Sequence, residues 1–371
     1  MEKTIATFVD DLGPAKIICI QEPSIQLQGI LVIDNVAAGP SIGGLRMAEN
    51  VSMGECVRLA RAMTLKNAAA GLAHGGGKSV LVGNPKMKPE QKENLIRGFA
   101  YALRGESDYI FGPDMGTNEE CMAWVKDEIG RAVGLPSEIG GIPLDIIGAT
   151  GWGVYHTIDV ALKYSDFPLQ GARIVIQGFG AVGKHAARFL TEHGGVLVGA
   201  SDSRGSLYDP AGLDVQALID IKGQGKSIID SPQGITGEVD AVLDMECDIW
   251  IPAARPDVLH KNNIHRLSTK LVAQGANIPL TDEAEKYLHK HGVLVIPDII
   301  ANAGGVICAA MEYHGASQTA SMQTIEEKIR RNTDEVLQLA KTNSLLPRVA
   351  AVQLSRSRLE KAMHHKRWRI F

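Results

Sequence analysis

The run ARIVIQGFGAVGKHAARFLTEHGGVLVGAS, residues 172–201, decides how this chain folds. Ala172–Gln177 is an apolar stretch of strand length, Gly178–Gly183 a glycine-rich turn, Val182–His193 a helix and Val196–Ser201 a second apolar strand. Strand, helix and strand in that order form a βαβ unit with parallel strands. Short apolar runs at Ile249–Ile251, Leu271–Ala273 and Val293–Ile296 continue a buried parallel sheet. The turn Gly178-Phe179-Gly180-Ala181-Val182-Gly183 has the spacing GxGxxG. Its glycines allow a tight bend and close backbone approach, and the helix N-terminus behind them offers unpaired N–H groups to a pyrophosphate. Asp202 ends the second strand 24 residues after Gly178, where a carboxylate accepts from the hydroxyls of an adenosine ribose. The turn therefore reads as a dinucleotide site, against the alternative of a glycine-rich packing turn. A carboxylate at that point repels a 2′-phosphate and favours NAD, while Arg204 is the feature that would tolerate NADP.

Upstream of Gln170-Gly171 the pattern is different. Ile17–Ile20 and Gly29–Ile33 are strand candidates, and Ser52–Leu65 (SMGECVRLARAMTL) puts Cys56, Leu59, Ala60 and Met63 at helical spacing. Ser52 is placed to cap that helix, with Glu55 completing a capping box. Pro89–Leu103 opens with proline at a helix start and carries Leu95, Phe99 and Leu103 four apart, and Asn118–Ile129 also reads as helix. The end of the chain is helix-rich, over Ile325–Ala340 and Ser344–Met363.

At about 150 residues per domain, 371 residues predict two to three units. With 45% hydrophobic and 22% charged residues the chain is globular, and a formal net charge of −4 gives nucleic acid no broad basic surface. The basic end Arg356–Arg369 is the exception, read as a solvated helix face or tail, with a subunit or polyanion contact as the alternative. Five dispersed cysteines without a CxxC argue against a disulfide framework or a zinc site, so no metal is expected and a reducing cytoplasm is. The opening MEKTIATFVDDLGPAK has acids where a signal peptide needs an apolar stretch, and no run nears the roughly 20 apolar residues of a membrane span. The expectation is a soluble cytoplasmic protein with neither membrane nor nucleic acid as partner.

Two further clusters carry chemistry. Lys66 precedes His74-Gly75-Gly76-Gly77-Lys78-Ser79, which lacks the leading glycine of a phosphate loop. Two lysines twelve residues apart around glycine-rich backbone suit a site where one ammonium pairs with a substrate carboxylate and the other, desolvated, acts as a base; the bland reading is two surface lysines. In Pro113-Asp114-Met115-Gly116-Thr117 the aspartate reads equally as a helix cap or a catalytic carboxylate.

Taken together, GPSIGGLRM (39–47), MTLKNAAAGLAHGGGKSV (63–80), GPDMGT (112–117), IGGIPLDIIGATGWGV (139–154), GFGAVG (178–183), SDSRGSLYDPAGLD (201–214), CDIWIPAA (247–254), QGAN (274–277) and VIPDIIANAGGVICAAMEY (295–313) resemble the glutamate/leucine/phenylalanine/valine dehydrogenases. The resemblance implies an α/β protein of two domains closing over a cleft: a substrate-binding and oligomerisation domain over 1–145, completed by C-terminal helices 326–371, and a Rossmann-type NAD-binding domain over 146–325. It implies NAD(P)-dependent oxidative deamination of an L-amino acid to the 2-oxo acid and ammonia, in a homo-oligomer. Lys66 matches the lysine that binds the α-carboxylate, Lys78 the catalytic lysine, and Asp114 the carboxylate that shuttles protons to and from the amine. Thr150, Asn277 and Asn302 match positions near the nicotinamide, its ribose or the substrate, and Ala254 falls in a cofactor-binding block.

The substrate is where the chain departs from the glutamate branch. Glutamate dehydrogenases carry lysine in the block GPxKGG, and Ile42 stands there; their serine after NAGGV is Ala309. A second substrate carboxylate beside Ile42 and Ala309 would be stranded at a cost of several kcal/mol. Gly112 and Ala309 are small, so a bulky apolar side chain of the Leu, Val, Ile or Phe type is expected, with glutamate as the alternative. His74, where relatives usually have an apolar or aromatic residue, reads as a packed, hydrogen-bonded histidine or as a polar group at the pocket edge. A non-catalytic relative serving as a structural subunit would be expected to have lost Lys78 or Asp114, and both remain.

Overall fold

The computed structural model describes residues 8–371, so the first part of the acidic N-terminal stretch lies outside the described residues. The chain divides into two compact units. The first comprises the described residues up to Pro143 with 306–321 and 352–371; the second comprises 144–305 and 322–351.

The first unit holds a five-stranded sheet of β1 (Lys16–Glu22), β2 (Leu27–Asn35), β3 (Ser41–Ala48), β4 (Gly75–Val82) and β5 (Tyr109–Pro113), interleaved with α1 (Met53–Ala69), α2 (Pro89–Ala102) and α3 (Glu119–Ile129). Its order is β1-β2-β4-β3-β5, with β1, β2 and β4 antiparallel in turn and β3 parallel to both β4 and β5. Strand periodicity sorts the residues by face. Leu45, Met47, Leu81, Tyr109 and Phe111 join Leu95, Ile96 and Phe99 of α2 in one core. The alternate positions, Ile42, Gly44 and Arg46 of β3, Gly76, Lys78 and Val80 of β4, and Gly112 of β5, fall on the opposite face, where Val80 packs with Cys56, Val57 and Ala60 of α1. Ser52 caps α1 as expected, accepting from the Glu55 N–H at 3.2 Å. The Glu55 carboxylate does not close the capping box, because Arg46 Nη1 donates to it at 2.7 Å.

The second unit contains α4 (Leu144–Ile147), α5 (Ala149–Ala161), β6 (Arg173–Gln177), α6 (Ala181–Glu192), β7 (Val196–Ser201), β8 (Ser206–Tyr208), α7 (Val215–Gly223), β9 (Ile235–Gly237), β10 (Ile249–Pro252), β11 (Leu271–Ala273), α8 (Asp282–Lys290), β12 (Leu294–Ile296) and α9 (Asp298–Ala301). The sheet order is β12-β11-β10-β6-β7-β8-β9. The five strands from β12 to β7 are parallel, as the apolar runs predict, and the three-residue strands β8 and β9 extend the sheet antiparallel. Because the chain leaves β6 for β7 on one side and later returns to β10 on the other, a crevice opens at the C-terminal end of β6. The chain finishes with α10 (Gly304–Tyr313), α11 (Gln318–Asn343) and α12 (Pro347–His364). In the basic C-terminal run, Arg358 donates to the Ala69 carbonyl at 2.6 Å, satisfying the C-terminal end of α1.

Candidate active site

In the first unit, Lys78 and Asp114 meet. Lys78 is 4% exposed on β4, and its Nζ lies 2.9 Å from Asp114 Oδ1, just beyond the end of β5. The surface reading of Lys78 is thereby overturned. So is the capping reading of Asp114, since Asn118 caps α3 by accepting from the Cys121 N–H. Arg46 Nε donates to the other Asp114 oxygen at 2.7 Å. Burial pulls the Lys78 pKa below the ordinary lysine range; Asp114 opposes that and Arg46 adds to it. Burial would raise the Asp114 pKa, but Lys78 and Arg46 together hold it below the usual carboxylate range. The pair is thus an ammonium of lowered proton affinity beside a carboxylate held ionised.

Glycine makes the meeting possible. A Cβ on Gly44 would sit 2.8 Å from Asp114 Cβ and 3.1 Å from Lys78 Nζ. The Gly75–Gly77 run is not a ligand loop but the start of β4, and a Cβ on Gly76 would lie 2.0 Å from the Thr64 backbone nitrogen. The glycines let α1 settle directly on the strand, which brings the Lys66 turn of α1 onto the Lys78 face of the sheet. Lys66 itself is half-buried. Ile42 is buried between Gly76 and Ile110 in the sheet, and Ala309 is buried on α10. Gly112 lies on β5, and a Cβ there would stand at ordinary contact distance, 3.5 Å, from Val133 Cγ2. His74 is 2% exposed. Its Nδ1 donates to the Pro40 carbonyl at 2.9 Å, which leaves Nε2 to accept from His314 Nε2 at 3.0 Å. Burial lowers its pKa, so His74 is the packed, neutral histidine of the first reading.

In the second unit a cavity of about 730 Å³ lies at the C-terminal ends of the parallel strands, lined by Gly178, Phe179, Gly180, Asp202 and Ala254 among others. Gly178 has φ +100°, and a Cβ there would press on Ala254; a Cβ on Gly183 would lie 1.9 Å from the Gly178 carbonyl oxygen, and one on Gly180 would meet only open space. Gln177 Oε1 and Ser201 Oγ are buried at the ends of β6 and β7 without a partner. Ala181, Val182 and Gly183 form the first turn of α6, whose N-terminus follows Gly180. A glycine floor, a helix N-terminus and two unsatisfied polar atoms at one crevice fit a dinucleotide.

Two family models match the chain, one described as glutamate/leucine/phenylalanine/valine dehydrogenase over residues 140–367 and one as the dimerisation domain of the same enzymes over 20–131. The chain belongs to that family. It is similar to the glutamate dehydrogenase of Aeropyrum pernix, 36% identical over 358 residues covering 90% of this chain and 85% of the relative. It is similar also to the NAD-specific glutamate dehydrogenase of Staphylococcus aureus, 32% identical over 352 residues, with coverage of 90% and 85%. The solved hetero-hexameric glutamate dehydrogenase of Thermus thermophilus, in a leucine-bound form, superposes with a TM-score of 0.83 at 28% identity, over 94% of this chain and 89% of that one. The chain is accordingly an NAD(P)-dependent amino-acid dehydrogenase with a two-domain α/β fold.

Asp202 of this dehydrogenase is more heavily engaged than its sequence position suggests. It accepts from the Arg204 and Ile228 N–H groups at 2.9 and 3.1 Å, from Ser227 Oγ at 2.8 Å and from Lys222 Nζ at 2.9 Å. Burial alone would raise its pKa, but these donors bring it down to about 2. The cation beside it is Lys222; the Arg204 side chain turns instead to Asp230 at 3.2 Å.

Asn302 Nδ2 donates to Asn277 Oδ1 at 3.0 Å, while Asn302 Oδ1 is buried without a partner. Thr150 lies in the first turn of α5, where a Cβ on Gly305 would come within 3.0 Å of its hydroxyl. The Asn277 loop and α9 are tied together by Arg348, which donates to Asp298, Glu285 and Gln274, while Asp298 also accepts from the Ile278 N–H at 2.8 Å. Arg46, Lys222 and Ser227 escaped the sequence reading. Arg46 alone left a local trace, its two-residue spacing from Gly44 and Ile42 along β3; Lys222 and Ser227 reach Asp202 from beyond the β8 strand. Among the described residues no helix is long and apolar enough to cross a membrane, and no cluster of His, Cys, Asp or Glu is arranged to hold a metal ion.

Proposed function

We propose that the protein catalyses the reversible oxidative deamination of an L-amino acid with a bulky apolar side chain of the Leu, Val, Ile or Phe type, yielding the 2-oxo acid and ammonia. The observation that carries the substrate class is Ile42, buried on the face of the sheet that bears Lys78. An apolar group stands where the resemblance predicts the cation for a side-chain carboxylate, and Ala309 replaces a hydroxyl donor. Glutamate would have to leave a carboxylate unpaired there.

In this reading Lys66 holds the substrate α-carboxylate, and Asp114 relays the proton that must leave the amine before Cα can be oxidised. Its low proton affinity suits transfer rather than storage. The dinucleotide held at the crevice lined by Gly178, Phe179 and Gly180 would supply the hydride acceptor for Cα. Lys78, whose proton affinity desolvation lowers, acts in its neutral form, taking a proton from the water that attacks the imine carbon and returning it as ammonia departs. In the other direction the same groups donate where they accepted. The glycines at 178, 180 and 183, with Phe179, Ala181, Val182 and Ala254, hold the dinucleotide, and Thr150, Asn277 and Asn302 lie on its nicotinamide side. Asp202 favours NAD, and Lys222 moderates that preference enough for NADP to be used less well. The protein acts as a cytoplasmic homo-oligomer, in keeping with the dimerisation domain of its family.

The test is kcat/KM for L-Glu, L-Leu, L-Phe, L-Trp and L-Ala with NAD at one alkaline pH. Each buried CH₂ contributes about 0.8 kcal/mol, so Leu or Phe should exceed Ala by a hundredfold or more and exceed Glu as well. Glutamate as the best substrate refutes the substrate class.

A further inference from the structure

Lys78 and Arg46 grip opposite oxygens of one carboxylate, and of the two cations only Lys78 has its proton affinity lowered by burial, the guanidinium staying charged. The ion-paired cluster here is Lys78, Arg46, Asp114 and Glu55, which sum to zero while Lys78 carries its proton. When Lys78 becomes neutral, Asp114 and Glu55 still share Arg46. Without Arg46 the same event would strip Asp114 and Glu55 of the cations that pair with them in this cluster.

We propose that Arg46 is the positioning residue that makes Lys78 a usable base: by holding the far oxygen of Asp114 it keeps that carboxylate ionised and compensated when Lys78 gives up its proton. Arg46 needs no contact with substrate for this. Its guanidinium is fixed at both ends, Nε on Asp114 and Nη1 on Glu55, each at 2.7 Å. The other polar groups near Lys78 offer no substitute. Cys56 on α1 has its thiol pushed up to about 12 by burial and donates to the Lys78 carbonyl. Asp34 on β2, next to β4, is taken by Arg61 and Thr64. Tyr109 bonds Ser79 and the Gly43 carbonyl on the other face of the sheet. Lys66, in the last turn of α1, adds positive charge but belongs to the α-carboxylate in the proposed reading. Burial lowers the proton affinity of Lys78 and Arg46 lowers it further; the geometry explains how both hold without protonating Asp114.

The inference rests on Lys78 being the base, and its test separates the two. The pH profile of kcat/KM is measured from neutral to strongly alkaline pH with L-leucine and NAD, or with L-glutamate where leucine gives no turnover. The ionisation of the substrate amine is common to all variants, so differences between profiles report the enzyme. Removing the positive charge in Arg46→Gln should move the ascending limb up by about one pH unit or more, so the loss, about tenfold at neutral pH, is recovered at alkaline pH. Arg46→Lys, which keeps the charge, should leave the limb nearly in place. Glu55→Gln removes a negative charge and should move it down. A uniform loss at every pH in Arg46→Gln, with the limb unmoved, overturns the inference, as does a shift in Arg46→Lys equal to that in Arg46→Gln. Should Arg46→Gln fail to fold, Glu55→Gln decides: a downward shift supports the proposal and an unmoved limb rejects it. Lys78→Ala serves as the control. If it retains turnover, the reading of Lys78 as base has failed; if it is inactive while the Arg46→Gln limb stays put, only the role of Arg46 has failed.

Discussion

Gly44→Ala is a one-carbon probe of the Lys78–Asp114 pair. The new Cβ would stand 2.8 Å from Asp114 Cβ, 2.9 Å from the Pro113 carbonyl oxygen and 3.1 Å from Lys78 Nζ. Ordinary contact begins near 3.4 Å, so Asp114 must retreat by about 0.6 Å, and backbone on one side prevents the methyl from yielding. The ion pair at 2.9 Å would be stretched or turned. Misplacement by about 1 Å costs on the order of a hundredfold in rate, so kcat should fall by about 10- to 100-fold. Overpacking should lower stability by about 1–3 kcal/mol. NADH formation at 340 nm gives kcat, and thermal unfolding gives the stability change. Affinity for NADH, read by its fluorescence, should be unchanged, because the glycine cradle is built from other strands. A variant with normal kcat would refute the claim that this glycine exists to let Lys78 and Asp114 meet.

Asp202→Asn removes the carboxylate but leaves Lys222, and the ratio of kcat/KM for NADP over NAD should rise by about tenfold or more; an unchanged ratio would remove Asp202 from cofactor discrimination. Ile42→Lys should raise kcat/KM for L-glutamate at the expense of L-leucine, provided the protein still folds by circular dichroism, and a folded variant without that change would assign specificity elsewhere.

The βαβ unit was legible because strand, glycine turn and helix are contiguous, and each leaves its own pattern in the residues. The β8–β9 extension is not, because three residues per strand carry too little periodicity, and the partners of Asp202, Lys222 on α7 and Ser227 just beyond it, lie 20 and 25 positions away in sequence. Glycine conceals the strand beneath the Lys78–Asp114 pair for a related reason. Gly75–Gly77 has no side chains to display a two-residue alternation, so the start of β4 leaves no strand pattern in the residues. Asp114 shows the limit of local capping logic, because the residue that caps the following helix is Asn118, four positions on. Glu55 shows the converse. Its spacing from Ser52 satisfies a capping box, but the Arg46 guanidinium is the stronger, charge-assisted partner and draws the carboxylate away.

The most direct test of the proton chemistry assigned to Lys78 is Lys78→Ala, assayed for both turnover and NADH binding. Loss of a general base costs about 10²-fold or more in kcat, and the nucleotide cavity is lined by none of the residues around Lys78. The expected result is kcat reduced by at least that factor with NADH affinity within about twofold of the parent protein. A variant that turns over near the normal rate would contradict the assignment of the base.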